Sequence, residues 1–129
     1  MLSGTRNRTD QLQRALLSLM NQTLPPNEII VVDNAPSDSA TRLLVTEQFA
    51  DVRYVREPLL GIDSARNRGL HESNQDIVAL LDDDAVADRN WSKEIVRVFR
   101  ENPDVGVCTG CIHPLSLEKV LKFREFIGY

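Results

Sequence analysis

The sequence predicts an α/β protein with a mostly parallel sheet and helices on both faces. Three observations carry this. Two short apolar runs, EIIVVD (28–33) and DIVALLD (76–82), are rich in Val, Ile and Leu and each ends in an acid. Near-continuous apolarity over so few residues marks strands covered on both faces. Between and around these runs lie segments whose apolar residues recur at helical spacing. Strands that alternate with helices imply crossover connections, and crossovers place strands parallel.

Each element follows in turn. Residues 9–22 carry Leu12, Ala15, Leu16, Leu19 and Met20 on one helical stripe, with Thr9 as the expected N-cap. TLPPN stops that helix, and EIIVVD follows as a buried strand. NAPSDS has loop composition. Residues 38–49 read as a second helix bearing Leu43, Leu44 and Phe49. VRYVRE (52–57) alternates as a strand does, PLLG turns the chain, and 63–72 reads as a third helix. DIVALLD is the next buried strand. Asp88 is placed to cap a helix over 89–101 with Trp91, Ile95, Val98 and Phe99 inward. DVGVCTG (104–110) reads as a strand and 116–126 as a last helix. TRNR (5–8) stands where the first strand is expected to end.

Composition narrows the function. A chain of 129 residues is one domain at most, and no linker or internal repeat divides it. The net charge of −4 and the lack of a Lys/Arg stripe argue against a nucleic-acid surface. The longest apolar runs are far too short to span a bilayer, and MLSGTRNR has no apolar h-region. A cytoplasmic protein is the expectation. Cys108 and Cys111, with His113, supply only three nearby zinc ligands where a structural site takes four. Buried core thiols are expected in preference to a metal or redox pair.

In open α/β sheets, ligands bind beyond the carboxyl ends of the strands. That rule draws together Asp33, the consecutive acids Asp82, Asp83 and Asp84, and Thr109-Gly110, each at an expected strand end. Three adjacent carboxylates repel one another, and a hard cation such as Mg²⁺ or Mn²⁺ relieves this, sharing its oxygen ligands with substrate phosphates. Acids near the next helix's amino end are the plainer explanation. The position directly after an apolar strand favours a functional cluster. In DSARNRGL (63–70), Arg66 and Arg68 leave a helix on different faces, so at most one points at a given site. A guanidinium suits phosphate or a base edge; the alternative is a surface pairing with Asp63 or Glu72.

Taken together, TRNR, QTLPPNEIIVVDNAPSD, VRYVREPLLGIDSARNRGL, DIVALLDDDAVADRNW and PDVGVCTG resemble, in order and spacing, the nucleotide-sugar-binding half of the family 2 glycosyltransferases of the GT-A, Rossmann-like fold. The resemblance covers essentially the whole chain. It implies transfer of a sugar from a nucleotide-diphosphate donor, most often UDP-linked, with inversion and metal assistance. It places Thr5 in the nucleotide pocket, Asp33 on the base, Arg66 on the nucleotide and Asp82 on the ribose. Asp84 would ligate the Mg²⁺ or Mn²⁺ that bridges the diphosphate. Asp83 falls in the same binding motif at its variable middle position, to which the motif gives no fixed role. Relative to that family the chain looks like a partial domain over 1–129, truncated at both ends. MLSG is all that precedes TRNR, and the general base, a downstream carboxylate in the acceptor half, is expected beyond Tyr129. The implied acceptor is a saccharide or lipid-linked sugar, which allows work at the inner face of a membrane, and an incomplete sheet edge invites a homodimer.

Two rival readings are weaker. DDDAV fits an aspartate-nucleophile phosphatase pattern, with Asp82 as nucleophile and Asp84 as acid/base, but that motif normally follows a first strand. A receiver-like signalling domain would suit the length and the acidic pocket, yet it needs a lysine after the last strand, and CTGCIHPL has none.

Overall fold

A computed structural model describes residues 2–114. The sheet is built on β2 (Ile29–Asn34), whose six residues are all buried. β1 (Leu2–Thr5) and β3 (Val52–Glu57) pair with β2 on either side, both parallel, giving the order β1-β2-β3. Leu2 stands opposite Ile30 and Thr5 opposite Asp33, while Ile29 stands opposite Val52 and Asn34 opposite Glu57. All three strands therefore end together, at Thr5, Asn34 and Glu57.

Alternate residues of a strand face opposite sides, and β2 supplies a core on each. Ile29 and Val31 pack with Leu12, Leu16 and Leu19 of α1 (Thr9–Met20) and Val45 of α2 (Ala40–Gln48). Ile30 and Val32 pack with Val55 and with Ala65 of α3 (Ile62–Glu72). Full burial of each such aliphatic side chain contributes about 1.5–3 kcal/mol. Helices thus cover both faces, as the sequence predicts. α4 (Trp91–Glu101) has only Ser92 buried; Trp91 packs against the first core, while Ile95, Val98 and Phe99 are half-buried rather than fully inward.

Several local expectations are corrected. Thr9 is the first helical residue of α1, and Arg8 stands at its N-cap with no side-chain capping bond. At α4 the N-cap is Asn90; Asp88 helps from outside, accepting Asn90 N–H through Oδ1 at 2.8 Å and Trp91 N–H through its carbonyl at 3.0 Å. DIVALLD does not become a strand: Ile77, Val78, Ala79 and Leu81 are half-buried, Leu80 is exposed, and the segment carries a single bridge at Leu80. DVGVCTG forms no strand either, and Val107 is 87% exposed. An apolar run reports burial, whereas a strand also needs a ladder partner, and the edge strand β1 offers only four residues. Cys108 and Cys111 share the consequence. Cys108 is half-buried, Cys111 is exposed, and both are free thiols rather than core side chains. The expected helix over 116–126 lies outside the described residues. No helix among the described residues is long and apolar enough to cross a membrane.

Candidate functional site

A cleft of about 490 Å³ opens at the carboxyl ends of β1 and β2, where the strand-end rule places a site. Thr5 and Asn34 form its floor, α3 contributes Arg66, and the turn Asp82–Asp84 closes one side. The turn is fixed by a hydrogen bond from Ala85 N–H to the Asp82 carbonyl at 3.1 Å.

The turn gives each acid a different setting. Asp83 points inward and is 6% exposed. Its Oδ2 accepts the Thr5 hydroxyl at 2.8 Å, and its Oδ1 accepts Arg8 Nη1 at 3.4 Å. The same Arg8 nitrogen lies 3.8 Å from Asp84 Oδ2. Asp82 faces Arg66 Nη2 at 3.5 Å. Two guanidinium groups thus hold three carboxylates together. The Arg66–Asp82 and Arg8–Asp84 pairs are half-exposed and long, and such pairs contribute about 0–1 kcal/mol. Asp82 and Asp84 therefore stay free to take a ligand at little cost, while Asp83 is committed to the protein.

The donor chemistry suits a hard cation with limits. Among the described residues no group of three or more His, Cys, Asp or Glu side chains gathers to hold an ion. Mg²⁺ and Mn²⁺ sites of the kind completed by substrate phosphates need one or two carboxylates rather than a closed cage. The half-exposed Asp84 carboxylate in the cleft meets that requirement.

Asp33 is placed elsewhere. It shares the β2 face of Ile29 and Val31, is fully buried, and does not line the cleft. Its Oδ2 accepts the Tyr54 hydroxyl at 2.9 Å, and its Oδ1 has no hydrogen-bond partner. Burial raises the Asp33 pKa above its ordinary value, against the opposing pull of the Tyr54 bond. Burial and the same bond push Tyr54 up to about 12. The next residue, Asn34, turns to the opposite face and reaches the cleft.

Of the expected site residues, Thr5, Arg66, Asp82, Asp83 and Asp84 converge on one cleft, and Asp33 does not. Arg68 leaves α3 away from it and pairs with Glu72 at 2.8 Å. Among the polar cleft residues not singled out from sequence are Arg8 and Asn34. In the sequence Arg8 is legible only as part of TRNR, a short polar segment whose groups suit a ligand, and strand alternation after Asp33 is the signal for Asn34.

A sequence model described as Glycosyl transferase family 2 matches residues 4–123. That match includes SARNRGL, which neither the phosphatase pattern nor the receiver pattern employs. The glucosyl-dolichyl phosphate glucuronosyltransferase of Haloferax volcanii is 28% identical over 111 residues, covering 83% of this chain and 35% of that protein. The poly-beta-1,6-N-acetyl-D-glucosamine synthase of Staphylococcus epidermidis is 27% identical over 106 residues, covering 81% and 26%. The chain thus spans about a third or less of these curated relatives. In shape it is similar to TarS of S. aureus, with a TM-score of 0.69 and 20% identity over 89% of this chain and 23% of that one. The TarS 1–349 structure in complex with UDP matches 90% of this chain and 38% of that one, with a TM-score of 0.65 and 19% identity.

Proposed function

The chain belongs to glycosyl transferase family 2, and from that premise we propose that its cleft binds a nucleotide-diphosphate sugar, UDP-linked, as the donor half of an inverting glycosyltransferase. The observation that carries this reading is the acidic turn Asp82–Asp84, set with Thr5 and Arg66 around one cleft at the strand ends. The UDP held by TarS, a protein of the same fold, supports the choice of nucleotide.

The residues divide the work by environment. Asp82, largely exposed, takes the ribose hydroxyls as a carboxylate acceptor. Arg66, half-exposed across the cleft from it, gives charge-assisted hydrogen bonds to the diphosphate. Asp84 holds a Mg²⁺ or Mn²⁺ ion, which when bound neutralises charge developing on the departing diphosphate. Asp83 keeps the turn in register with β1 through Thr5. By resemblance to the family, the general base that takes the acceptor hydroxyl proton would be a carboxylate outside this set. The names of the relatives point to a saccharide or lipid-linked acceptor.

Calorimetric titration of UDP in the presence and absence of Mn²⁺ tests the assignment. The parent chain is expected to bind UDP more tightly with the ion. Asp84→Ala should remove that gain, at least tenfold in affinity or about 1.4 kcal/mol, and leave the far-UV spectrum intact. Undiminished cation dependence in Asp84→Ala would remove Asp84 from the metal site.

A further inference from the structure

We infer that Asn34 is a positioning residue for the donor cleft. Its side-chain amide sets the loop between β3 and α3, and through it the end of α3 that presents Arg66. The functional half of this inference rests on the donor-binding reading above.

Asn34 is 7% exposed and uses both ends of its amide on one loop. Nδ2 donates to the Leu59 carbonyl at 2.7 Å, and Oδ1 accepts Gly61 N–H at 2.9 Å. Gly61 is the N-cap of α3 and has a φ of 141°, a conformation that excludes ordinary side chains. Its carbonyl accepts Ala65 N–H at 3.1 Å, closing the first turn. Arg66 follows Ala65 directly and reaches Asp82 from that turn.

Little else secures the loop. Leu59, Leu60 and Ile62 are all exposed, so no apolar packing pins it. Among the described residues the other side-chain hydrogen bond to this loop is local, from Leu59 N–H to Glu57 Oε1 at 2.7 Å. Asn34 sits at the end of the central strand, the most buried element of the sheet. It therefore ties a solvent-exposed connection to the buried centre of the sheet. Only a primary amide offers a donor and an acceptor in that geometry; a carboxylate would retain the Gly61 bond and lose the one to Leu59.

The test uses the full chain with amide hydrogen exchange and UDP titration in Mg²⁺. In Asn34→Ala, Gly61 N–H should exchange at least tenfold faster while Val31 N–H in the same strand is unchanged. UDP affinity should fall at least fivefold. Arg66→Ala alone should weaken UDP, and adding Asn34→Ala to it should cost nothing more, because both act through one guanidinium. Asn34→Asp, read by exchange only, should restore protection of Gly61. If Asn34→Ala fails to fold, Asn34→Ser, too short to reach both partners, replaces it. Unchanged Gly61 exchange would overturn the clamp. Losses that simply add in the double variant would overturn its action through Arg66. A parent chain that binds no UDP would remove the donor reading and the functional half with it, and Gly61 exchange would still decide the clamp.

Discussion

Asp83, on the acidic turn, and Asp33, near the end of β2, show how one residue type takes opposite roles. Asp83 is buried but satisfied, by the Thr5 hydroxyl and Arg8. Asp83→Ala leaves the Thr5 hydroxyl, on a residue only 3% exposed, without its acceptor. The expected loss is about 1–3 kcal/mol of stability, read as a lower urea midpoint; an unchanged midpoint would remove Asp83 as the tie between β1 and the turn. Asp33 is buried and half-satisfied. Its folded pKa lies above 3.8, so near that value the folded state keeps a proton that the unfolded state has released. Stability therefore falls as pH rises from 3.8 through the folded value, and the cost is complete above it. Asp33→Asn retains an acceptor for Tyr54 and removes the buried charge. It should stabilise the chain at neutral pH by about 1–3 kcal/mol. That gain should vanish in denaturant melts run well below pH 3.8, where the carboxyl is protonated in both states. A gain that persists in acid would mean charge is not the cause. Sequence located Asp33 at its strand end, but a residue's face depends on which partner each side meets. Asn34, one position on, reached the cleft instead.

At the level of elements, legibility followed the need for partners. α1, α2, α3 and α4 form within a few residues of their predicted ranges, because helical hydrogen bonds are local and an apolar stripe reports the face to be covered. β2 and β3 were equally plain, since each finds a parallel neighbour along its whole length. DIVALLD carries as apolar a pattern as β2, yet ladder bonds come from another strand, which no pattern within the run can supply. The acidic turn nonetheless arrives at the cleft, because Val78 packs against the second core and Leu81 against the first. Within the loop into α3, the turn itself is carried by Gly61. Gly61→Ala forces a side chain onto a φ of 141°. This should cost about 1–3 kcal/mol, visible as a lower thermal midpoint and reduced helicity; a neutral result would mean the loop relaxes to another path.

For the whole molecule, the sheet of three parallel strands with helices on both faces brings Thr5, Asn34, Arg66 and the Asp82–Asp84 turn to one edge, as strand-end topology requires. The resemblance read from five blocks of sequence is matched by the family over residues 4–123. The proposed role of this edge is to bind a nucleotide diphosphate through a metal. A thermal melt of the 129-residue chain with UDP, with Mn²⁺, and with both tests it most directly, since a ligand that binds only the folded state raises the midpoint. The midpoint should rise markedly with both together and little with either alone. A cooperative melt that ignores the pair would contradict the claim.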